Sequence, residues 1–163
     1  MKTIPKGALV SEGMFVLERF VPFRLSVLAN RMTRAVAGVY ARRFNVSAPE
    51  WRTLAVLGRF GAMTANNVVE RTSMDKVRVS RAVTRLLELG YITRKTDPLD
   101  RRRAILDLTA SGQNVYRQIV PRALAVEREL LQVLDRNERA AFEAAISKLE
   151  SRITVPGAGG EED

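Results

Sequence analysis

The most informative residues lie between Asp75 and Leu89, where basic and small polar side chains alternate with apolar ones at helical spacing. At 100° per residue the apolar side chains share one face, which leaves a basic face exposed. Arginine can donate to O6 and N7 of one guanine, and threonine can contact a thymine methyl group, so this face suits the major groove of DNA. The apolar side chains of this segment are Val79, Ala82, Val83, Leu86 and Leu89. The residues expected to contact DNA are Lys76, Arg78, Ser80, Arg81, Thr84 and Arg85.

A second basic cluster separates two segments, residues 91–96 and 103–108, whose alternating pattern predicts β-strands. The pattern therefore predicts a hairpin with a basic tip. Arginine enters the minor groove readily because a narrow groove concentrates negative potential, so the tip is expected to contact the minor groove or the flanking backbone. The tip residues assigned to DNA binding are Asp100, Arg101, Arg102 and Arg103.

The basic face of the helix, taken alone, is well explained as a solvated surface without a partner. Arginine is common on exposed helices, and Glu88 interrupts the basic face. The combination of a short helix, a second helix with a basic face and a basic hairpin is typical of a winged helix-turn-helix, and it favours DNA binding.

Capping signals define the helices that precede the hairpin. Pro22 suits the first turn of a helix whose apolar residues recur through Tyr40. A capping box at Ser47–Glu50 opens a second helix, and Thr64 caps a third. The fourth helix is expected from about Asp75 to Leu89.

Two longer helices are predicted after the hairpin. Thr109 caps the first of them, in which Pro121 predicts a kink. The capping box Asp135–Glu138 opens the last helix, whose apolar residues continue to Ile153. The sequence therefore predicts a mainly α-helical protein with a small β-hairpin wing.

Charge and composition divide the chain into a DNA-binding lobe and a helical dimerisation region. The lobe is the winged helix-turn-helix at residues 47–108, and the dimerisation region comprises residues 22–46 and 109–153. From 109 to 153 the 7 basic and 6 acidic side chains nearly cancel on an apolar background, which indicates packing against other protein. Residues 1–21 form an N-terminal extension, and residues 154–163 are expected to be a flexible acidic tail.

Composition excludes several kinds of chemistry. The chain has 163 residues, with 27 Lys and Arg against 18 Asp and Glu, and no His or Cys. A thiol redox switch, a Ser-His or Cys-His pair and an ordinary zinc site are therefore excluded. Since no phosphate loop or Gly-x-Gly-x-x-Gly motif occurs either, we expect no enzyme, no cofactor and no metal site.

The formal net charge of +9 at pH 7 points to an anionic partner, most often nucleic acid or an anionic membrane surface. The first ten residues lack a secretory signal, and no stretch of 18 uncharged apolar residues occurs. We therefore expect a cytoplasmic protein. Charge alone does not choose between the two anionic partners, but the winged helix-turn-helix pattern favours double-stranded DNA over a membrane.

The chain resembles the MarR family of bacterial transcriptional regulators from about Pro22 to Ile153. The resemblance implies a homodimer built by the first and the last two helices. It also implies that Arg102 enters the minor groove and that Asp100 orients it. The residues that carry the resemblance are Met74–Arg81, Leu86, Leu89–Ile92, Asp97-Pro98, Asp100–Arg102, Leu108-Thr109 and Gly112.

The resemblance also implies regulation by a small organic effector, because this chain lacks the cysteines and histidines of the family's redox and metal sensors. In relatives, aromatic carboxylates or their coenzyme A thioesters bind between the dimer helices and the DNA-binding lobe. Arg24 and Arg31 lie seven residues apart, with Phe23 adjacent and Trp51 at the start of the second helix. These four residues could form an anion clamp beside aromatic walls. Alternatively, Trp51 belongs to the core, and Arg24 covers apolar surface or pairs across the dimer.

The favoured function is a homodimeric, ligand-responsive repressor that an aromatic carboxylate or its thioester releases from an inverted-repeat operator. The alternative is an architectural protein that binds DNA without sequence preference and has no effector. Competitor DNA distinguishes the two, because the architectural protein discriminates only through electrostatics.

Overall fold

The computed structural model describes residues 15–97, 100 and 102–153, and in them seven α-helices surround one small sheet. The helices are α1 (Val21–Ala37), α2 (Ala41–Phe44), α3 (Ala48–Phe60), α4 (Ala65–Thr72), α5 (Lys76–Glu88), α6 (Ala110–Leu131) and α7 (Arg136–Arg152). The strands are β1 (Met63–Thr64), β2 (Ile92–Thr96) and β3 (Ala104–Leu108), and a 3₁₀ turn at Leu17–Arg19 precedes α1. The predicted mainly α-helical fold with a hairpin wing is confirmed.

Side-chain caps begin the helices where the sequence predicts them. The backbone amide of Ser47 donates to the Glu50 carboxylate at the start of α3 (2.6 Å). The Thr64 hydroxyl accepts from the amide of Asn67 at the start of α4 (3.2 Å). Asp135 likewise accepts from the amide of Glu138 (2.9 Å). These bonds satisfy amides that have no partner within the helix, which explains why local sequence predicted the boundaries.

The sheet contains one strand more than the predicted hairpin. β2 and β3 pair antiparallel, with Ile92 opposite Leu108, and β1 pairs with the other edge of β3 through Met63 opposite Leu106. β1 is only two residues long, so it has no alternating pattern by which sequence could show it. The short helix α2 was not predicted either.

One core joins the winged lobe to the neighbouring helices. Tyr40 and Val46, which we assigned to the dimerisation region, are each 1% exposed and pack in the same cluster as Leu54, Leu86 and Ile119. The cluster therefore includes residues from both sides of the predicted boundary at residue 47.

The start of α6 is fixed against the base of the wing. The Thr109 hydroxyl donates to the carbonyl of Gly90 (2.7 Å) and also accepts from the amide of Gly112 (3.0 Å). A Cβ at Gly112 would lie 1.9 Å from the carbonyl oxygen of Tyr91, so only glycine permits this approach. α6 then continues through Pro121 as one element, and the expected kink there stays a prediction.

The helices predicted to dimerise, and the segment just before them, carry many exposed apolar side chains. Neither α1 nor α7 contains a fully buried residue. We call the following set the apolar face: Phe15, Val16, Leu17, Phe20, Val21, Phe23, Leu25, Leu28, Leu124, Ile146, Leu149 and Ile153. Within the described ranges, no helix is both long enough and apolar enough to cross a membrane. Residues 1–14 of the predicted extension and the predicted tail at 154–163 lie outside the described residues.

Candidate nucleic-acid interface

The helix-turn-helix is formed by α4 and α5 around a tight turn. Ser73 ends α4 with a left-handed backbone (φ 51°), and the Asp75 carboxylate accepts from the amide of Arg78 to begin α5 (2.8 Å). The residues of α5 on the predicted DNA-binding face are exposed, except for the half-buried Arg85. The buried residues of this helix are Val79, Ala82, Val83 and Leu86. The predicted division of α5 into an apolar and a basic face is confirmed.

The three arginines of this face differ in their partners. Nε of Arg78 lies 3.1 Å from the Asp75 carboxylate, and Nη1 of Arg85 lies 2.9 Å from the Glu88 carboxylate. No carboxylate of the described residues forms an ion pair with Arg81. The two exposed pairs stabilise the fold little but restrict their side chains, whereas Arg81 is exposed and no such pair restricts it.

In the wing, the Asp100 carboxylate holds Arg102. One carboxylate oxygen accepts from the backbone amide of Arg102 (3.0 Å) and from its Nε (3.3 Å). The Arg102 side chain nevertheless remains 92% exposed, so it projects from the tip while one end of its guanidinium is fixed. The Arg103 amide donates to the carbonyl of Asp100 (2.9 Å) and tightens the same turn. Arg101 lies outside the described residues.

A basic cleft lies between the wing and the start of α4. It has a volume of about 510 Å³, and its lining includes three arginines, Arg94, Arg102 and Arg103. Asn66 in the first turn of α4 also lines the cleft, where the positive end of the helix dipole favours an anion, and Glu70 is the one acidic residue among the lining side chains. This arrangement suits a DNA phosphate. Arg94 and Asn66 were not predicted, because strand and cap patterns say nothing about which side chains converge.

Three of the four predicted effector residues lie together. Phe23, Arg24 and Arg31 line a cavity of about 590 Å³ on the apolar face, together with Glu18 and Phe142. Trp51 does not line this cavity. The side of α1 that meets α3 carries Met32, Thr33 and Val36. Because successive positions on a helix point about 100° apart, Arg31 faces away from that side.

Trp51 instead lines a smaller cavity between α1 and α3. This cavity, about 220 Å³, is lined by Met32, Thr33 and Val36 of α1 and by Trp51 and Arg52 of α3, and we call it the Trp51 cavity. Arg52 was not among the residues predicted to bind the effector. No cluster of acidic side chains in the described part of the chain could hold a metal ion.

Aromatic side chains surround Trp51. Its ring centroid lies 5.6 Å from that of Tyr40 and 6.2 Å from that of Tyr116, with the Tyr116 ring stacked. Burial raises the pKa of Tyr40, an effect that the nearby Arg52 guanidinium partly offsets. The phenol is therefore neutral at physiological pH, and Arg52 is the cation available to an anionic ligand at this cavity.

Comparisons with known proteins agree with this geometry. The model of the MarR family matches residues 44–103, the helix-turn-helix and wing. The transcriptional repressor NicR of Pseudomonas putida is 27% identical over 148 residues, which are 91% of this chain and 93% of NicR.

Two solved structures have a similar fold. BpsR of Bordetella bronchiseptica, described as regulated in its DNA binding by 6-hydroxynicotinic acid, matches with a TM-score of 0.76 and 23% identity over 85% of this chain and 98% of BpsR. A mutant of MarR from E. coli, solved with operator DNA, matches with a TM-score of 0.73 and 22% identity over 83% of this chain and 99% of MarR. Both similarities show the fold.

Proposed function

Because the chain belongs to the MarR family of DNA-binding transcriptional regulators and is not an enzyme, we propose that it is a homodimeric repressor of an inverted-repeat operator. A small aromatic carboxylate or its coenzyme A thioester releases it from DNA. The observation that carries this proposal is the pairing of the exposed basic face of α5 with the Asp100–Arg102 turn of the wing.

In the proposed complex, α5 lies in the major groove and the wing lies in the adjacent minor groove. Arg81 contacts a base edge, because its donors are not taken up by a carboxylate. Arg102 enters the minor groove in the orientation that Asp100 fixes. A phosphate occupies the cleft at Arg94, between the wing and α4. The other predicted residues, Lys76, Arg78, Ser80, Thr84, Arg85, Arg101 and Arg103, contact bases or phosphates beside these.

The proposed dimer covers the apolar face. Helix α7 buries no side chain within the chain, although Ile146, Leu149 and Ile153 are apolar, so the helix needs a partner to remove them from water. A second copy supplies the matching surface under two-fold symmetry. We keep residues 22–46 and 109–153 as the dimerisation region and 47–108 as the lobe, with residues 40–46 completing the core of the lobe.

We place the effector in the Trp51 cavity. It lies between α1 and α3, so a ligand there can favour one position of the lobe relative to the dimer helices. Arg52 supplies a guanidinium for a carboxylate, and Trp51 supplies an aromatic wall. The cavity at Arg24 and Arg31 lies on the apolar face, where a partner subunit competes for the space, and it is the second candidate.

Selection of operators from random DNA tests the proposal. We expect the purified protein to enrich inverted repeats with half-sites about one helical turn apart and to retain them in excess competitor DNA. Enrichment of no sequence, with binding that competitor DNA abolishes, would show the architectural alternative instead. A panel of aromatic carboxylates, added to the retained complex, then tests release.

A further inference from the structure

An apolar side chain lies at the centre of the basic face of α5. Val77 is 59% exposed, although its neighbours on this face are charged or polar. At 100° per residue it lies directly opposite the buried side chains of the helix. Arg81 and Thr84, at i+4 and i+7, continue the same outer line toward the C-terminus.

The position of Val77 decides what it meets when α5 lies in the major groove. The N-terminal residues of a recognition helix are those that contact base edges, and Val77 is the second residue of α5. The groove edge of a base pair presents one apolar group, the C5 methyl of thymine. An isopropyl group can contact that methyl but offers nothing to a donor or acceptor.

The hydrogen bonds of the helix favour the same contact. The Thr84 hydroxyl donates to the Ser80 carbonyl (3.1 Å), which leaves its methyl group as the other terminal group of that side chain. The cap that Asp75 provides at the amide of Arg78 fixes the first turn, and with it the direction of Val77. The outer line of α5 therefore begins with an apolar side chain in a turn that the Asp75 cap fixes.

We propose that Val77 is a specificity-determining residue that contacts a thymine methyl group in each half-site of the operator. This inference rests on the proposed function, because it requires α5 to enter the major groove. The contact between Val77 and the methyl group adds a preference for A·T over G·C at one base pair of each half-site. This preference is separate from the hydrogen bonds that Arg81 makes.

Uracil substitution tests the contact, because it removes the thymine methyl and leaves every hydrogen-bonding group. Each thymine of the selected operator is replaced by deoxyuridine in turn, in both half-sites, and affinities are measured for the wild-type protein and Val77→Ala. We expect one position at which uracil weakens wild-type binding about fourfold per half-site. Val77→Ala should bind the thymine operator as weakly as the wild type binds that uracil operator, and should not respond to uracil there.

The controls separate the contact from effects on folding. Alanine has a higher helix propensity than valine, so Val77→Ala keeps α5 intact, and circular dichroism checks this. Val133→Ala makes the same change at an 80% exposed valine between α6 and α7, and it should keep the wild-type response to uracil. If Val77→Ala responds to uracil as the wild type does at every position, the inference is wrong and the proposed function stands. If the wild-type protein selects no operator, both are wrong.

Discussion

The ring of Tyr116 lies against the backbone of Gly58 so closely that a Cβ at Gly58 would come within 2.7 Å of three ring carbons. This contact joins α6 to α3, and the same ring stacks on Trp51 of α3. α3 in turn packs against α5, and both helices contribute to the core of the lobe, with Leu54 from α3 and Leu86 from α5. The position of α5 is therefore linked to a contact that leaves no room for a side chain at Gly58.

Substitution of Gly58 by alanine should destabilise the protein. Although alanine favours a helix, its methyl group must displace the Tyr116 ring, and overpacking of this kind costs about 1 to 3 kcal/mol. The free energy of unfolding, from urea titration, measures the change. The double variant Gly58→Ala, Tyr116→Ala should be less destabilised than the sum of the single variants. Additive effects would show that the two residues do not constrain each other.

Removal of Arg81 and of Arg102 should affect DNA binding in different ways. Arg81→Ala should cost about 1 to 3 kcal/mol per half-site and relax the preference at one base position. Arg102→Ala should weaken binding to all sequences and lower the salt dependence by about one phosphate contact per half-site. Binding curves at several salt concentrations, with the selected operator and single-base variants, measure both effects.

Asp100→Asn provides the matched control for the wing. It removes the charge that fixes Arg102 but keeps the arginine, so it should weaken binding less than Arg102→Ala. The double variant Asp100→Asn, Arg102→Ala should bind DNA about as strongly as Arg102→Ala alone. If Arg81→Ala and Arg102→Ala both bind the operator with wild-type affinity, α5 and the wing do not dock on DNA as proposed.

A charge in the apolar face should dissociate the dimer. Leu149→Asp places a carboxylate among side chains that dimerisation would remove from water, and an unpaired buried charge is costly. Sedimentation velocity at micromolar concentration should show a monomer, and operator binding should be lost. Ser151→Asp, on another side of the same helix, should remain a dimer. A wild-type monomer that binds the operator fully would contradict the proposed assembly.

Aromatic carboxylates at micromolar concentration should quench the fluorescence of Trp51, the single tryptophan of the chain, and release operator DNA. Arg52→Gln should lower ligand affinity, because it removes the cation of the Trp51 cavity. Arg24→Ala and Arg31→Ala should leave both affinity and release unchanged. The opposite pattern would move the effector to the cavity at Arg24 and Arg31.

Local chemistry made much of the fold predictable. Four helices begin where a side chain accepts from a backbone amide three residues further on, at Thr64, Asp75, Thr109 and Asp135. Neighbouring residues therefore suffice to predict these helix starts. The division of α5 into two faces was predictable for a similar reason, since helical periodicity alone separates its buried from its exposed residues.

What sequence could not show depends on contacts between distant segments. Pairing with β3 alone makes Met63–Thr64 a strand. Trp51 was grouped with Arg24 and Arg31, but its neighbours are set by how α1 crosses α3 and by the Tyr116 ring of α6. Arg94 and Asn66 likewise become part of one cleft only when the wing folds beside α4.

The shared core limits how this protein can be divided. Tyr40 and Val46 lie before the lobe and Ile119 lies after it, yet all three are buried with Leu54 and Leu86. A fragment of residues 47–108 would expose the surface that these three cover, so we expect it not to fold cooperatively. Exchange of DNA-binding modules between related proteins should therefore succeed only when the fragment also includes residues 40–46 and the first three turns of α6.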